Sequence, residues 1–338
     1  MTDGQARDRD RALGQGRRQE RERDEGDAVG HVRRGVPGPG RGTQRIASGV
    51  RLVQAVARDR ALHTRRRGVR MSVARTDADV AVFAAEAGAA VVRAAYGRDV
   101  TRHAKAGTDF ATDTDLDAEQ AILAVLAAEC PGDSVLAEES GASSRPGSRR
   151  WFVDPLCGTL NFAAQTPLVA VNVALVDEVG VVACAVADPI AREVFWSDRT
   201  GASLRCDGID VPLRPSAVSR LVDVNCDGPL DRPFVGPQLL ADPAFRAEFG
   251  PRALSTTLAL AWVATGRRAG YVSDGVLADS VHFAAGIALC LAAGCVVTDL
   301  AGGPVPTGRG LLAAADGPTH RRLLDLVRPH LARTPATP

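Results

Sequence analysis

The chain is predicted to fold as a layered α/β protein in two lobes. Three observations predict this. Two early segments repeat apolar residues at helical spacing, and a run of short alternating strands follows them. The second half instead alternates strand and helix. With 338 residues, 45% of them apolar, the chain can fill one large or two modest domains at roughly 100–200 residues each. The expected layout is an α+β lobe over residues 71–215, an α/β lobe over 216–332 and a tail over 333–338, with the join near 210–220.

From Asp77 to Tyr96 the apolar positions Val80, Phe83, Ala84, Ala87, Val91 and Ala95 share one helical face. A second helix is expected over Asp117 to Cys130, stopped by Pro131-Gly132-Asp133. Ser134 to Ala137 is a short strand ending in Glu138-Glu139, and Ser140 to Arg150 a polar loop. Trp151 to Val153 is a strand that runs into an Asp154-Pro155 turn. Strands at 169–176, 181–188, 193–197 and 203–206 form an antiparallel meander, with Gly180 in its first turn. Beyond the join, strands are expected at 220–225, 269–273, 296–299 and 309–314. Helices are expected at 255–265, 283–293 and 319–331. No repeat of 20–50 residues is visible.

Residues 1–70 stand apart. They hold 18 arginines and no lysine, with only weak apolar periodicity around Ile46 to Ala61. A charge-dense stretch of this kind does not build a core. It reads as a disordered basic tail, as a nucleic-acid arm that lacks aromatic stacking residues, or as sequence ahead of a true start at Met71.

The formal net charge of +1 argues against a dedicated nucleic-acid surface over the whole chain. The charged N-terminus has no apolar core of a signal peptide. The most apolar run, Phe283 to Val297, has 15 residues, short of the roughly 18 that suggest a membrane span. Seven cysteines without a Cys-x-x-Cys pair suit reduced thiols in the cytoplasm. Lys105 is the only lysine in the chain.

Taken one by one, the polar clusters have plain readings. Glu138-Glu139 would be a surface acidic pair, and Asp109, Asp113, Asp115 and Asp117 a solvated, helix-capping run. A lone cysteine is usually a small buried hydrophobe. Their order along the chain changes the picture. Lys105 to Asp115 reads Lys-Ala-Gly-Thr-Asp-Phe-Ala-Thr-Asp-Thr-Asp, and 137–140 reads Ala-Glu-Glu-Ser. Residues 151–162 read Trp-Phe-Val-Asp-Pro-Leu-Cys-Gly-Thr-Leu-Asn-Phe. Arg252 leads to Ser255 and a segment ending Val-Ala-Thr-Gly, then come Val-His-Phe-Ala-Ala-Gly at 281–286 and Gly-Cys-Val-Val-Thr-Asp at 294–299.

This ordered set resembles the inositol monophosphatase family over about residues 77–330. The resemblance implies the layered αβαβα sandwich of the inositol monophosphatase/fructose-1,6-bisphosphatase type. It also implies Mg²⁺-assisted hydrolysis of a small phosphorylated alcohol: a polyol, sugar or amino-alcohol phosphate. A first Mg²⁺ would take Glu138, Asp154 and the Leu156 carbonyl, a set of hard oxygen donors. Asp115 and Thr159 would orient the attacking water. Amides near Gly158 and Thr159 would meet phosphate oxygens at a helix start. Lys105 would lie near the site, and a homodimer is implied.

The chain departs from the family at two positions. The family's core signature runs Asp-Pro-(Ile/Leu)-Asp-Gly-Thr-x-Asn-Phe, and its later motif begins Trp-Asp. Cys157 and His282 stand where those two aspartates bind a second metal alongside Asp154. Four outcomes are open. A phosphatase survives on one or two Mg²⁺. Asp154, Cys157 and His282 hold a softer ion such as Zn²⁺. Cys157, favoured as a thiolate at a helix N-terminus, acts as a nucleophile with His282 as its base, on a non-phosphate substrate in a specialised biosynthetic pathway. Or the protein is a catalytically silent binding relative. Asp279 could orient His282 or simply turn the chain.

Overall fold

The computed structural model describes residues 75–331, apart from 106–109, 144–146, 229–232, 276, 278–279 and 306–308. The expected N-terminal extension and C-terminal tail lie outside the described residues, as does Asp279.

The first helix, α1 (Asp77–Ala95), starts at a reciprocal cap. The Thr76 hydroxyl accepts from the Asp79 amide, and the Asp79 carboxylate accepts from the Thr76 amide. A two-stranded ribbon follows, β1 (Arg102–Ala104) against β2 (Phe110–Thr112). The second helix, α2 (Asp113–Glu129), begins four residues before the expected Asp117. Thr112 and Asp115 cap it as Thr76 and Asp79 cap α1, so part of the supposedly solvated aspartate run is its first turn.

Then come β3 (Ser134–Ala137), the two-residue β4 (Gly141–Ala142) inside the expected loop, and β5 (Arg150–Cys157). The Asp154-Pro155 pair, expected as a turn, lies within β5. On the neighbouring β6 (Ala170–Asp177), Asn172 faces Asp154 and Ala170 faces Cys157, so β5 carries one extra residue between them. This is a bulge, and it re-aims the end of the strand. After it sits the five-residue helix α3 (Thr159–Ala163). The meander continues as β7 (Gly180–Asp188), β8 (Glu193–Asp198), β9 (Gly201–Cys206) and β10 (Ile209–Pro212), completing an eight-stranded sheet ordered β10-β9-β8-β7-β6-β5-β3-β4.

The second sheet is ordered β12-β11-β13-β15-β14. Its strands are β11 (Leu221–Val224), β12 (Gly250–Ala253), β13 (Gly270–Ser273), β14 (Val296–Thr298) and β15 (Leu311–Ala314). Its helices are α4 (Val235–Ala241), α5 (Pro243–Glu248), α6 (Leu258–Ala264), α7 (Ala284–Ala293) and α8 (Gly317–Leu331).

Strand alternation sorts the core into three slabs. Trp151, Val153, Val171 and Val173 pack under α1 and α2. Phe152, Ala174, Cys184 and Phe195, from the other face of that sheet, meet α6 and α7 and then Tyr271, Leu311 and Ala313 of the second sheet. Val272, Leu312 and Ala314 face the outer layer of α4, α5 and α8. The layers therefore run αβαβα. Among the described residues no helix is long and apolar enough to cross a membrane.

Candidate active site

A cleft of about 530 Å³ opens where the end of β5 meets residues that lead into α6 and α7; Glu138, Cys157, Thr159, Asn225, Thr257 and His282 are on its walls. Among the described residues, the site candidates picked out from the sequence lie at or just behind it.

Asp115 is fully buried in the first turn of α2. Its Oδ2 accepts from the Thr112 amide at 2.8 Å, and its Oδ1 accepts from the Thr159 hydroxyl at 3.0 Å. That hydroxyl is also 3.2 Å from the Leu156 carbonyl. Burial raises the Asp115 pKa, and its hydrogen bonds oppose the rise. Glu138 follows β3, its amide donating to the Val153 carbonyl at 3.0 Å. Its carboxylate accepts from Lys105 Nζ at 2.9 Å, and the same ammonium reaches Glu139 at 2.8 Å. Burial and the nearby Asp154 charge push Glu138 up to about 8, against the pull of His282 and Lys105. Burial lowers the Lys105 ammonium, but the bonds to Glu139 and Glu138 outweigh it and the net shift is upward.

Gly158 links β5 to α3. Its φ is +94°, and an added Cβ would lie 2.7 Å from the Leu168 carbonyl oxygen, so only glycine fits. Asn161 in α3 donates to the carbonyls of Leu168 at 2.9 Å and Ser255 at 2.7 Å, tying this corner to the segment before α6.

The divergent pair sits against Asp154. His282 Nδ1 lies 2.8 Å from Asp154 Oδ2 and 4.0 Å from Glu138 Oε2. Burial lowers the imidazole pKa, but the bond to Asp154 and its charge raise it to about 9, with Glu138 adding to the rise. Asp154 is itself fully buried. Its Oδ2 also accepts from Asn172 Nδ2 at 3.3 Å, and its Oδ1 from the Leu156 amide at 3.2 Å. Asn172 is paired with Thr257 through bonds of 2.8 and 3.2 Å. The Thr257 hydroxyl and amide face the Cys157 sulfur.

Cys157 does not begin a helix; it ends β5, one residue before the cap of α3. Burial, then the Asp154 charge, push its thiol well above the ordinary range; Thr257 opposes this and Glu138 adds to it. A thiolate at a helix N-terminus, the expectation from sequence, therefore meets two carboxylates instead.

The donor chemistry fits ions in two ways. Glu138, Asp154 and the Leu156 carbonyl are oxygen donors suited to Mg²⁺. Burial first and the Asp154 charge second lift Glu138, and a bound cation would offset both. The Asp154, Cys157 and His282 ligand atoms lie within 4.8 Å of one another, a mixed O, S, N set suited to Zn²⁺ rather than Mg²⁺.

Two contributors were not anticipated from sequence: Asn172 and Thr257. Asn172 had a visible signal, as a polar residue inside an otherwise apolar strand. Thr257 belongs to a Ser-Thr-Thr run at 255–257 that only the fold brings to Cys157.

The sequence matches the model of the inositol monophosphatase family over residues 74–332. An inositol-1-monophosphatase of Mesorhizobium japonicum is 36% identical over 230 residues, covering 66% of this chain and 85% of that protein. A protein of Pasteurella multocida named Nus factor SuhB is 30% identical over 269 residues, covering 75% and 96%. The crystal structure of the extragenic suppressor protein suhB from Bartonella henselae aligns with a TM-score of 0.67 at 29% identity, covering 74% of this chain and 97% of that one. The chain belongs to the inositol monophosphatase family, and membership supports metal-dependent phosphatase chemistry. The relatives' names include both an enzyme and a Nus factor.

Proposed function

We propose that this protein hydrolyses a small phosphorylated alcohol (a polyol, sugar or amino-alcohol phosphate) with a single Mg²⁺ held by Glu138, Asp154 and the Leu156 carbonyl. The observation that carries this is the convergence of those three donors with the Asp115–Thr159 pair at 3.0 Å. Bound Mg²⁺ would neutralise phosphate charge and acidify an attacking water. The Thr159 hydroxyl donates to Asp115, which leaves its oxygen to accept from that water and aim it at phosphorus. Amides at Gly158 and Thr159 would face the phosphate oxygens. As the P–O bond to the alcohol breaks, His282 would give the departing oxygen a proton, and Asp154 steadies the ring for this. Lys105 holds Glu138 in place.

The assay is phosphate release from a panel of small phosphomonoesters with Mg²⁺, for the wild type and for the double variant Cys157→Asp/His282→Asp. Turnover by the wild type that chelation abolishes is the expected result. An inert wild type beside an active double variant would refute the single-metal reading. Size measurement by light scattering tests the accompanying homodimer reading, and cell fractionation the cytoplasmic one.

A second reading has its own observation. The compact Asp154–Cys157–His282 cluster would take Zn²⁺, which would deprotonate the thiol on binding despite its raised pKa. Zinc retained through dialysis and lost in Cys157→Ser would favour it. Thiol catalysis without a metal draws no support from a sulfur flanked by carboxylates, and a silent binding relative would bind phosphomonoesters without turnover.

A further inference from the structure

Glu119 is a buried carboxylate near the cleft that the roles above leave unused. It lies on α2, four residues after Asp115, so the two carboxylates share one face of the helix. It is only 2% exposed. Its Oε2 accepts from the Glu139 amide at 2.8 Å, and its Oε1 from the Ser140 amide at 2.9 Å. Those amides are the first two after Glu138. On its other side Glu138 is fixed by its own amide, which donates to Val153 of β5.

We infer that Glu119 is a positioning residue: its carboxylate clamps the turn after Glu138 and so sets where the Glu138 carboxylate points. The inference rests on the reading of Glu138 as a metal ligand. A carboxylate suits the task because two adjacent N–H donors need two acceptor oxygens, and a buried donor left without one is costly. A carboxamide offers a single oxygen and turns its NH₂ against the other amide. Helix α2 thereby works as a ruler. One turn holds Asp115 against Thr159, and the next holds the turn after Glu138. The clamp lies behind the ligand, in the place where outer-shell partners tune metal sites.

The test uses the full chain and Mn²⁺ alone, with binding followed by the loss of the free-ion paramagnetic resonance signal. Thermal melting of each protein is recorded beside it. Glu119→Gln is expected to raise the Mn²⁺ dissociation constant by roughly tenfold or more, the usual span for an outer-shell partner. Equal affinity in variant and wild type, with only a lower melting temperature, would show that Glu119 merely braces the fold and would overturn the inference. A wild type that binds no Mn²⁺ at all would remove the metal-ligand reading of Glu138 and the inference with it. Should the variant fail to fold, hydrogen exchange of the wild-type peptide spanning 138–143 decides. Mn²⁺ is expected to slow exchange at Glu139 and Ser140 severalfold, and unchanged exchange in a protein that binds the ion would overturn the clamp.

Discussion

Asp223 offers a sharp test of how the second sheet was assembled. It sits on β11, fully buried, two residues before Asn225 of the cleft. Its Oδ1 accepts from Arg268 Nε at 2.7 Å, while its Oδ2 has no hydrogen-bond partner among the described residues. Burial raises its pKa from 3.8 to about 6, more than Arg268 and Arg252 lower it. The sign follows from proton linkage. Between these two values the folded chain holds a proton that the unfolded chain has released, so stability falls as pH rises through that window and is flat above it. About two units at 1.36 kcal/mol each give a loss of about 3 kcal/mol across the full span. Most of that, about 2–3 kcal/mol, falls between pH 4 and 7. Asp223→Asn removes this titration while keeping an acceptor for Arg268. Urea unfolding of both proteins across pH 4–7 isolates the effect, because every other group cancels in the difference. The variant should gain on the wild type by about 2–3 kcal/mol over that range. A pH-independent difference, or a wild type that gains with pH, would mean that the ion pair outweighs burial and that Asp223 stays ionised.

Other outcomes are as specific. Gly158→Ala should abolish phosphatase activity and lower the melting temperature, since its Cβ meets the Leu168 carbonyl at 2.7 Å on a backbone with φ +94°; wild-type turnover in this variant would contradict that fit. Asn172→Val should cost about 1–3 kcal/mol in urea unfolding, because the Thr257 hydroxyl and Asp154 lose a buried partner, and an unchanged midpoint would show the network to be dispensable. Iodoacetamide at pH 7.5 should label exposed Cys206 before Cys157, whose thiol is held neutral by burial and Asp154. Peptide mass spectrometry showing Cys157 labelled first would revive the thiol nucleophile.

The elements read most fully from sequence are the long ones. α1 repeats its apolar face over five turns, and β6 to β9 each run six residues or more. The omissions share a cause. β1, β2, β10 and β12 lack the adjacent aliphatic pair that marks the equally short β14 and β15, and β12 is further disguised by Gly250 and Pro251, which an edge strand tolerates. α4 and α5 are broken up by Gly236, Pro237 and Pro243, so neither presents a helical stripe. The bulge in β5 is invisible to pattern because Asp-Pro is ordinarily a turn signal. Only the pairing with Asn172 and Ala170 shows that the strand continues past it.

For the site, the residues gathered at the cleft could be picked out from the sequence, but their contacts could not. Glu138, Asp154, Asp115 and Thr159 could be singled out from motif order, but how His282 meets Asp154 depends on a contact 128 residues apart in the chain. Those contacts suggest that the two substitutions belong together. By resemblance, the family's second ion brings two positive charges and is met by two private aspartates. Losing the ion together with both aspartates leaves the local charge nearly balanced, whereas losing either part alone would strand charge beside a fully buried Asp154. The imidazole then supplies a donor to Asp154 Oδ2 at 2.8 Å, and the neutral thiol fills the remaining space without adding a charge. On this reasoning the single variants are the informative ones. Cys157→Asp alone should place a third carboxylate beside Glu138 and Asp154 and lower the melting temperature in the absence of Mg²⁺. His282→Asp alone should do the same, with added Mg²⁺ restoring more of the loss in the double variant than in either single one. Melting curves of the three proteins with and without Mg²⁺ measure this, and additive, Mg²⁺-independent losses would show that the two positions changed independently.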